Sequence, residues 1–164
     1  MAEPARQRSR RNAATAFAVL AILTLMALVP LRCRDEIEPH RRYPTGEAAR
    51  RAPDAHEWVP ALLPPGATDV NERHGRGRRF MRFTADSATM AQATAGMQPL
   101  DLAAVRRVPV PTPGWSGWWS ISPRTLQGGQ GKQLRVYRVE NPRDRGYLAV
   151  DTRSGRAYYW AVPE

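Results

Sequence analysis

The sequence predicts an α+β protein: an N-terminal transmembrane helix followed by one small domain with an antiparallel sheet and one or two short helices. Three observations carry this prediction. Residues 13–31, AATAFAVLAILTLMALVPL, form an uncharged run of 19 residues. The C-terminal third holds three short alternating segments divided by tight turn signals, and the middle holds two short stretches with helical patterning and caps.

The N-terminus divides in two. Residues 1–12 form a basic tail with Arg6, Arg8, Arg10 and Arg11 against the single acid Glu3. The run from Ala13 to Leu31 is apolar on every helical face, and at about 1.5 Å per residue it is long enough to cross a hydrocarbon core of about 30 Å. It ends in Pro30, Leu31 and Arg32 without the small-residue site that a cleavable signal needs, so an uncleaved anchor is expected. The basic tail favours a cytoplasmic N-terminus. The protein is then a single-pass inner (cytoplasmic) membrane protein with a periplasmic or other extracytoplasmic C-terminal domain. Cys33 is the lone cysteine, so no disulfide can form within the chain.

Residues 32–55 carry many charges, few large apolar groups, and Pro39, Pro44, Gly46 and Pro53. They are expected to be a flexible stalk. The domain is expected over residues 56–164, where fifteen basic and nine acidic residues leave a net charge of +6. In the whole chain 24 of the 25 basic residues are arginine, scattered rather than gathered into a stripe, a pattern that argues against nucleic acid as the partner.

Within the domain HEWVPALLPPGATDV is a proline-punctuated lead-in, and RHGRGRR at 73–79 reads as a solvated turn. RRFMRFTA at 78–85 reads as a strand with apolar groups on both faces. Asp86 or Ser87 caps a short helix that Gly96 stops, and LDLAAVRR forms a second before Pro109. VPVPTPG must be extended, because its prolines exclude a helix. Segments 133–140, 146–151 and 156–162 form a meander through the loops NPRDR and TRSG, with Gly155 suited to a positive φ. A four-residue TRSG loop sets Asp151 opposite Arg156, Ala149 opposite Tyr158 and Tyr147 opposite Trp160 on one face. Leu148, Val150, Ala157 and Tyr159 fall on the other.

The lead-in and the strand after it carry a resemblance. Leu63, Pro64, Ala67 and Val70, then Phe80 and Phe83, are similar to the LPxxAxx[IV] lead-in and xFxF strand of small, uncharacterised bacterial membrane-anchored or lipoprotein-like proteins. The closing YLAVDTRSGRAYYW resembles the aspartate-turn-glycine hairpin that often ends them. The resemblance implies an immunity or secretion-locus accessory role, and none of the matching residues is chemical.

His40, His56 and His74 have no metal-ligand spacing and read as solvated. No nucleophile elbow is present, and GGQG at 128–131 lacks the Lys-Ser/Thr that ends a phosphate loop. No catalytic residue, metal or cofactor is therefore expected. The tryptophans of WSGWW at 115–119 leave two readings open. They cover one face of the C-terminal hairpin, with Trp119 in the core and Trp115 at the rim, or they form an exposed platform. The candidate binding surface is Trp115, Trp118, Tyr147, Tyr158 and Trp160. The function expected is a membrane-anchored, extracytoplasmic binding protein with a protein partner, acidic in view of the +6 domain. The alternatives are the immunity or accessory role and a cell-envelope enzyme.

Overall fold

The computed structural model describes residues 40–75, 78–111, 117–127 and 133–161. All of them belong to the second of the two units into which the chain divides, Ile37–Glu164. In chain order the elements are strand β1 (Arg41–Thr45), helices α1 (Gly46–Arg50) and α2 (Ala55–Trp58), and strands β2 (Thr68–Gly75) and β3 (Arg78–Thr84). Helices α3 (Ser87–Ala93), α4 (Leu102–Val105) and α5 (Pro123–Gln127) follow, then strands β4 (Leu134–Glu140), β5 (Arg145–Asp151) and β6 (Arg156–Ala161). The strands make one sheet in the order β1-β2-β3-β6-β5-β4, every pair antiparallel.

This corrects the expected fold class. The domain is a six-stranded antiparallel sheet dressed with short helices of four to seven residues. The expected transmembrane helix falls on residues 13–31, which lie outside the described residues, and no helix among the described residues is long and apolar enough to cross a membrane. The sheet also begins inside the expected stalk, since Arg41–Thr45 pairs with β2. Pro44 hid this strand from sequence reading. A proline lacks the N–H that a central strand needs, but β1 lies at the edge of the sheet, where that donor is dispensable. β2 was hidden for another reason. Its sequence, TDVNERHG, has one large apolar residue, Val70, and it buries Asn71 and Glu72 instead.

Alternation along the central strands sends side chains to two covered faces. Met81, Phe83, Leu148, Ala157 and Tyr159 pack with Ala49, Trp58, Leu63 and Met90, so α1, α2, the lead-in and α3 cover that face. Phe80, Ala149, Tyr158 and Trp160 pack on the other with Val105, Val108, Trp119, Ile121 and Leu126. The β5–β6 register follows the pairing expected from the four-residue turn, with Asp151 opposite Arg156 and Tyr147 opposite Trp160. Gly155 closes the turn at φ +66°, and a Cβ there would lie 2.3 Å from the Ala85 carbonyl oxygen. The close approach serves a hydrogen bond, because Ala85 N–H donates to the Gly155 carbonyl at 3.0 Å. Asp86 caps α3 by accepting from Thr89 N–H at 2.8 Å, and Asp101 caps α4 by accepting from Ala104 N–H at 2.7 Å.

Trp119 settles into the second face at 7% exposure. Its ring stands edge-on to Phe80, Tyr158 and Trp160, with centroids 5.6, 5.6 and 6.2 Å away. This is the geometry that aromatic quadrupoles favour. Trp118, half-buried, meets Trp119 edge-on at 5.6 Å and stacks on His40 at 5.1 Å. We predict that Trp119→Ala destabilises the protein by about 3–5 kcal/mol, the usual cost of truncating a buried tryptophan. Trp118→Ala should cost clearly less. Denaturant unfolding of both variants beside the parent tests the pair, and equal losses would contradict this division.

Candidate functional site

The most developed polar arrangement lies toward the turn of the β2–β3 hairpin. β2 register places Glu72 opposite Met81 and His74 opposite Arg79, so Glu72 and His74 share one face two residues apart. The Glu72 side chain is 2% exposed and accepts a hydrogen bond from His74 Nδ1. A carboxylate only accepts, so this contact puts the ring proton on Nδ1 and leaves Nε2 for another partner. The second Glu72 oxygen, Oε2, is buried without a hydrogen-bond partner among the described residues. Burial pushes the Glu72 carboxyl above its ordinary range, against the hydrogen bond and charge of His74 and the charge of Arg41.

Aromatic packing holds the imidazole in place. Trp58, from α2, lies nearly parallel to His74 with centroids 5.9 Å apart and a 7° interplanar angle, and Tyr43 of β1 stacks with Trp58 at 5.4 Å. The segment before α2 is tied to β1 by Arg41, whose Nη1 donates to Asp54 Oδ2 at 2.5 Å. That hydrogen bond is the main cause lowering the Asp54 pKa from 3.8 to about 2. His74 is therefore not the solvated turn residue expected: its side chain is 15% exposed, stacked and paired. His56, in contrast, is exposed and lies 3.7 Å from Glu57.

His74 also lines an open pocket of about 390 Å³ with His56, Glu57, Gly75, Arg78, Arg79 and Arg143. Its basic wall is fastened to the fold. Arg79 Nη1 donates to Asp144 Oδ1 at 3.0 Å and Arg79 Nη2 to the Arg143 carbonyl at 3.1 Å. Arg143 Nη2 donates to the His56 carbonyl at 2.9 Å. Asp144, 1% exposed, takes a further hydrogen bond from Ala61 N–H at 2.9 Å. The guanidinium groups of Arg78, Arg79 and Arg143 line one concavity, and guanidinium is suited to a carboxylate or phosphate oxygen. Among the described residues, no group of three or more His, Cys, Asp and Glu side chains could hold a metal ion.

The aromatic surface expected from the sequence is not assembled as a platform. Trp160 is fully buried and its Nε1 donates to the Pro109 carbonyl at 2.9 Å. Tyr158 is 5% exposed, with its hydroxyl 2.6 Å from Ser120 Oγ. These two are core residues, because the tryptophan segment covers their face. Tyr147 is half-buried against Trp160 at 5.7 Å, and Trp118 is half-buried on His40. Trp115 lies outside the described residues. The RHGRGRR run that reads as a bland turn supplies His74, Gly75, Arg78 and Arg79 to the pocket instead.

Two pH dependences follow, of opposite sign. Asp54 has a lowered pKa, so its contribution is present above its ordinary 3.8 and is lost as pH falls through about 2. Asp54→Asn should lose less stability than the parent in thermal melts taken between pH 4 and pH 2. Glu72 has a raised pKa, so its contribution is present below the ordinary carboxyl range and is lost as pH rises through the folded value. The melting temperature of Glu72→Gln, relative to the parent, should therefore be higher at pH 8 than at pH 4. A difference that shrinks with rising pH would contradict the burial argument.

No protein-family model matches this chain, and neither a curated protein nor a solved structure matches it.

Proposed function

We propose that this chain is an extracytoplasmic binding protein, held at the inner membrane by residues 13–31, whose partner is an acidic protein. The attachment rests on the sequence, where an uncharged 19-residue run follows four arginines. The observation that carries the binding reading is the pocket where Arg78, Arg79 and Arg143 outnumber the one acid, Glu57, beside His56 and His74. Arg79 and Arg143 are held before any ligand arrives, by Asp144, the Arg143 carbonyl and the His56 carbonyl. Such preorganisation favours binding by reducing what must be ordered on association. The +6 charge of residues 56–164 adds long-range attraction for an acidic surface.

Poly-L-glutamate is a direct probe. The full-length chain should bind it with an affinity that falls as salt rises, as expected for exposed charges. Arg78→Glu should weaken binding about tenfold, which corresponds to about 1.4 kcal/mol. Arg153→Glu is the control, because Arg153 lies in the β5–β6 turn at the far end of the sheet from Arg78. Equal losses for the two variants would mean diffuse charge attraction and no site. Tighter binding of duplex DNA than of poly-L-glutamate at matched salt would overturn the acidic-protein reading.

A further inference from the structure

A second concavity adjoins the basic pocket on the other face of the sheet. It is about 190 Å³, lined by Arg78, Phe80, Pro109, Val110, Pro111, Trp160 and Ala161. Phe80, Trp160 and Ala161 are buried and make its floor. Pro109, Val110 and Pro111 make a wall, which the Trp160 Nε1 hydrogen bond to the Pro109 carbonyl pins in place. Prolines have little backbone freedom to lose, so this wall is stiff before anything touches it. Its volume is that of roughly six water molecules at about 30 Å³ each, enough for one aliphatic side chain.

Arg78 lines both concavities. Strand alternation explains why. His74 and Arg79 are register partners facing one side of the sheet, whereas Arg78 and Phe80 face the other, and Arg78 stands at the strand end where the two sides meet. Arg78 is exposed, and its side chain makes no ion pair or hydrogen bond among the described residues. Its guanidinium can pair with a carboxylate on one side while its methylene stem borders the apolar groove on the other.

We propose that the acidic partner is gripped through a short extended segment in which a carboxylate side chain adjoins an aliphatic one. The carboxylate enters the basic pocket, the aliphatic group enters the Phe80–Pro109–Trp160 groove, and Arg78 stands between them. This inference rests on the acidic-partner reading and adds a requirement to it. Charge alone is met by any acidic surface, whereas the groove selects a neighbour for the acid. Burying one aliphatic side chain and pairing one desolvated carboxylate are each large enough to change affinity about tenfold.

The test uses the full-length chain in lipid nanodiscs and four fluorescein-labelled hexapeptides, read by fluorescence anisotropy. They are Gly-Ser-Glu-Leu-Ser-Gly and its counterparts with Gln for Glu, Ser for Leu, and both. The Glu-Leu peptide should bind tightest, and each single replacement should raise Kd about tenfold. Arg78→Gln should erase the preference for Glu over Gln, and Val110→Asp should erase the preference for Leu over Ser. Melting temperatures establish that both variants fold. Should Val110→Asp fail to fold, the peptide series on the parent and on Arg78→Gln still decides. Equal Kd for the Glu-Leu and Glu-Ser peptides defeats the groove and leaves the acidic-partner reading standing. Equal Kd for Glu and Gln peptides defeats both. Preferences unchanged in Arg78→Gln would place binding elsewhere and overturn the proposal.

Discussion

The pairing of β3 with β6 joins residues 74 to 80 positions apart, setting Phe80 opposite Trp160, Met81 opposite Tyr159 and Phe83 opposite Ala157. On one side of this seam lie β2 and β1, and on the other the β5–β4 ladder. Each half alone would be a three-stranded ribbon with exposed apolar faces. Joined, they offer two continuous faces that short helices and loops can cover. Both cores draw on the seam, since Phe80 and Trp160 feed one and Met81, Phe83 and Tyr159 the other. The pocket depends on it too, because its residues come from α2, the β2–β3 hairpin and the β4–β5 turn.

Around this apolar seam the protein places charges in partly enclosed positions and holds each by several partners. Asp69 adopts φ +47° at an irregularity in β2 and is gripped by Arg82, Arg42 and Asn71. Burial opposes its ionisation, but the hydrogen bond from Asn71 and the charges of Arg82 and Arg42 prevail, and its pKa is lowered. Asp144 is held by Arg79, Ala61 N–H and its own turn. Removing Arg79 would leave Asp144 an uncompensated buried charge, which is more costly than the pair is stabilising. These contacts fix how β1, β2 and the β4–β5 turn are oriented.

What the sequence disclosed follows from which forces are local. The register of β5 and β6 was legible because a four-residue turn and strict alternation determine it together. Trp119 was legible as core because a hairpin with two apolar faces needs cover. β2 was not, since its buried positions carry Asn71 and Glu72, whose burial rests on side-chain partners, His40 and Asp69 for Asn71 and His74 for Glu72, that alternation of apolar residues does not reveal. The candidate site fell with it: without β2 as a strand, nothing sets His74 beside Glu72 or under Trp58. Tyr158 and Trp160 were offered as surface for a related reason, as aromatic residues look alike until their covering segment is placed.

The two outer strands are each spoiled as templates for further pairing. β1 contains Pro44 and carries Arg41 and Arg42. On β4, the Val136 carbonyl accepts from Leu100 N–H at 2.7 Å and Tyr137 is bridged by Pro99. Growth of the sheet by a seventh strand is therefore discouraged at both ends. Another chain cannot readily borrow the backbone ladder, whether to recognise this domain or to aggregate with it. Recognition is left to side chains at the end of the sheet, where a single substitution can change who is bound without disturbing how the chain folds.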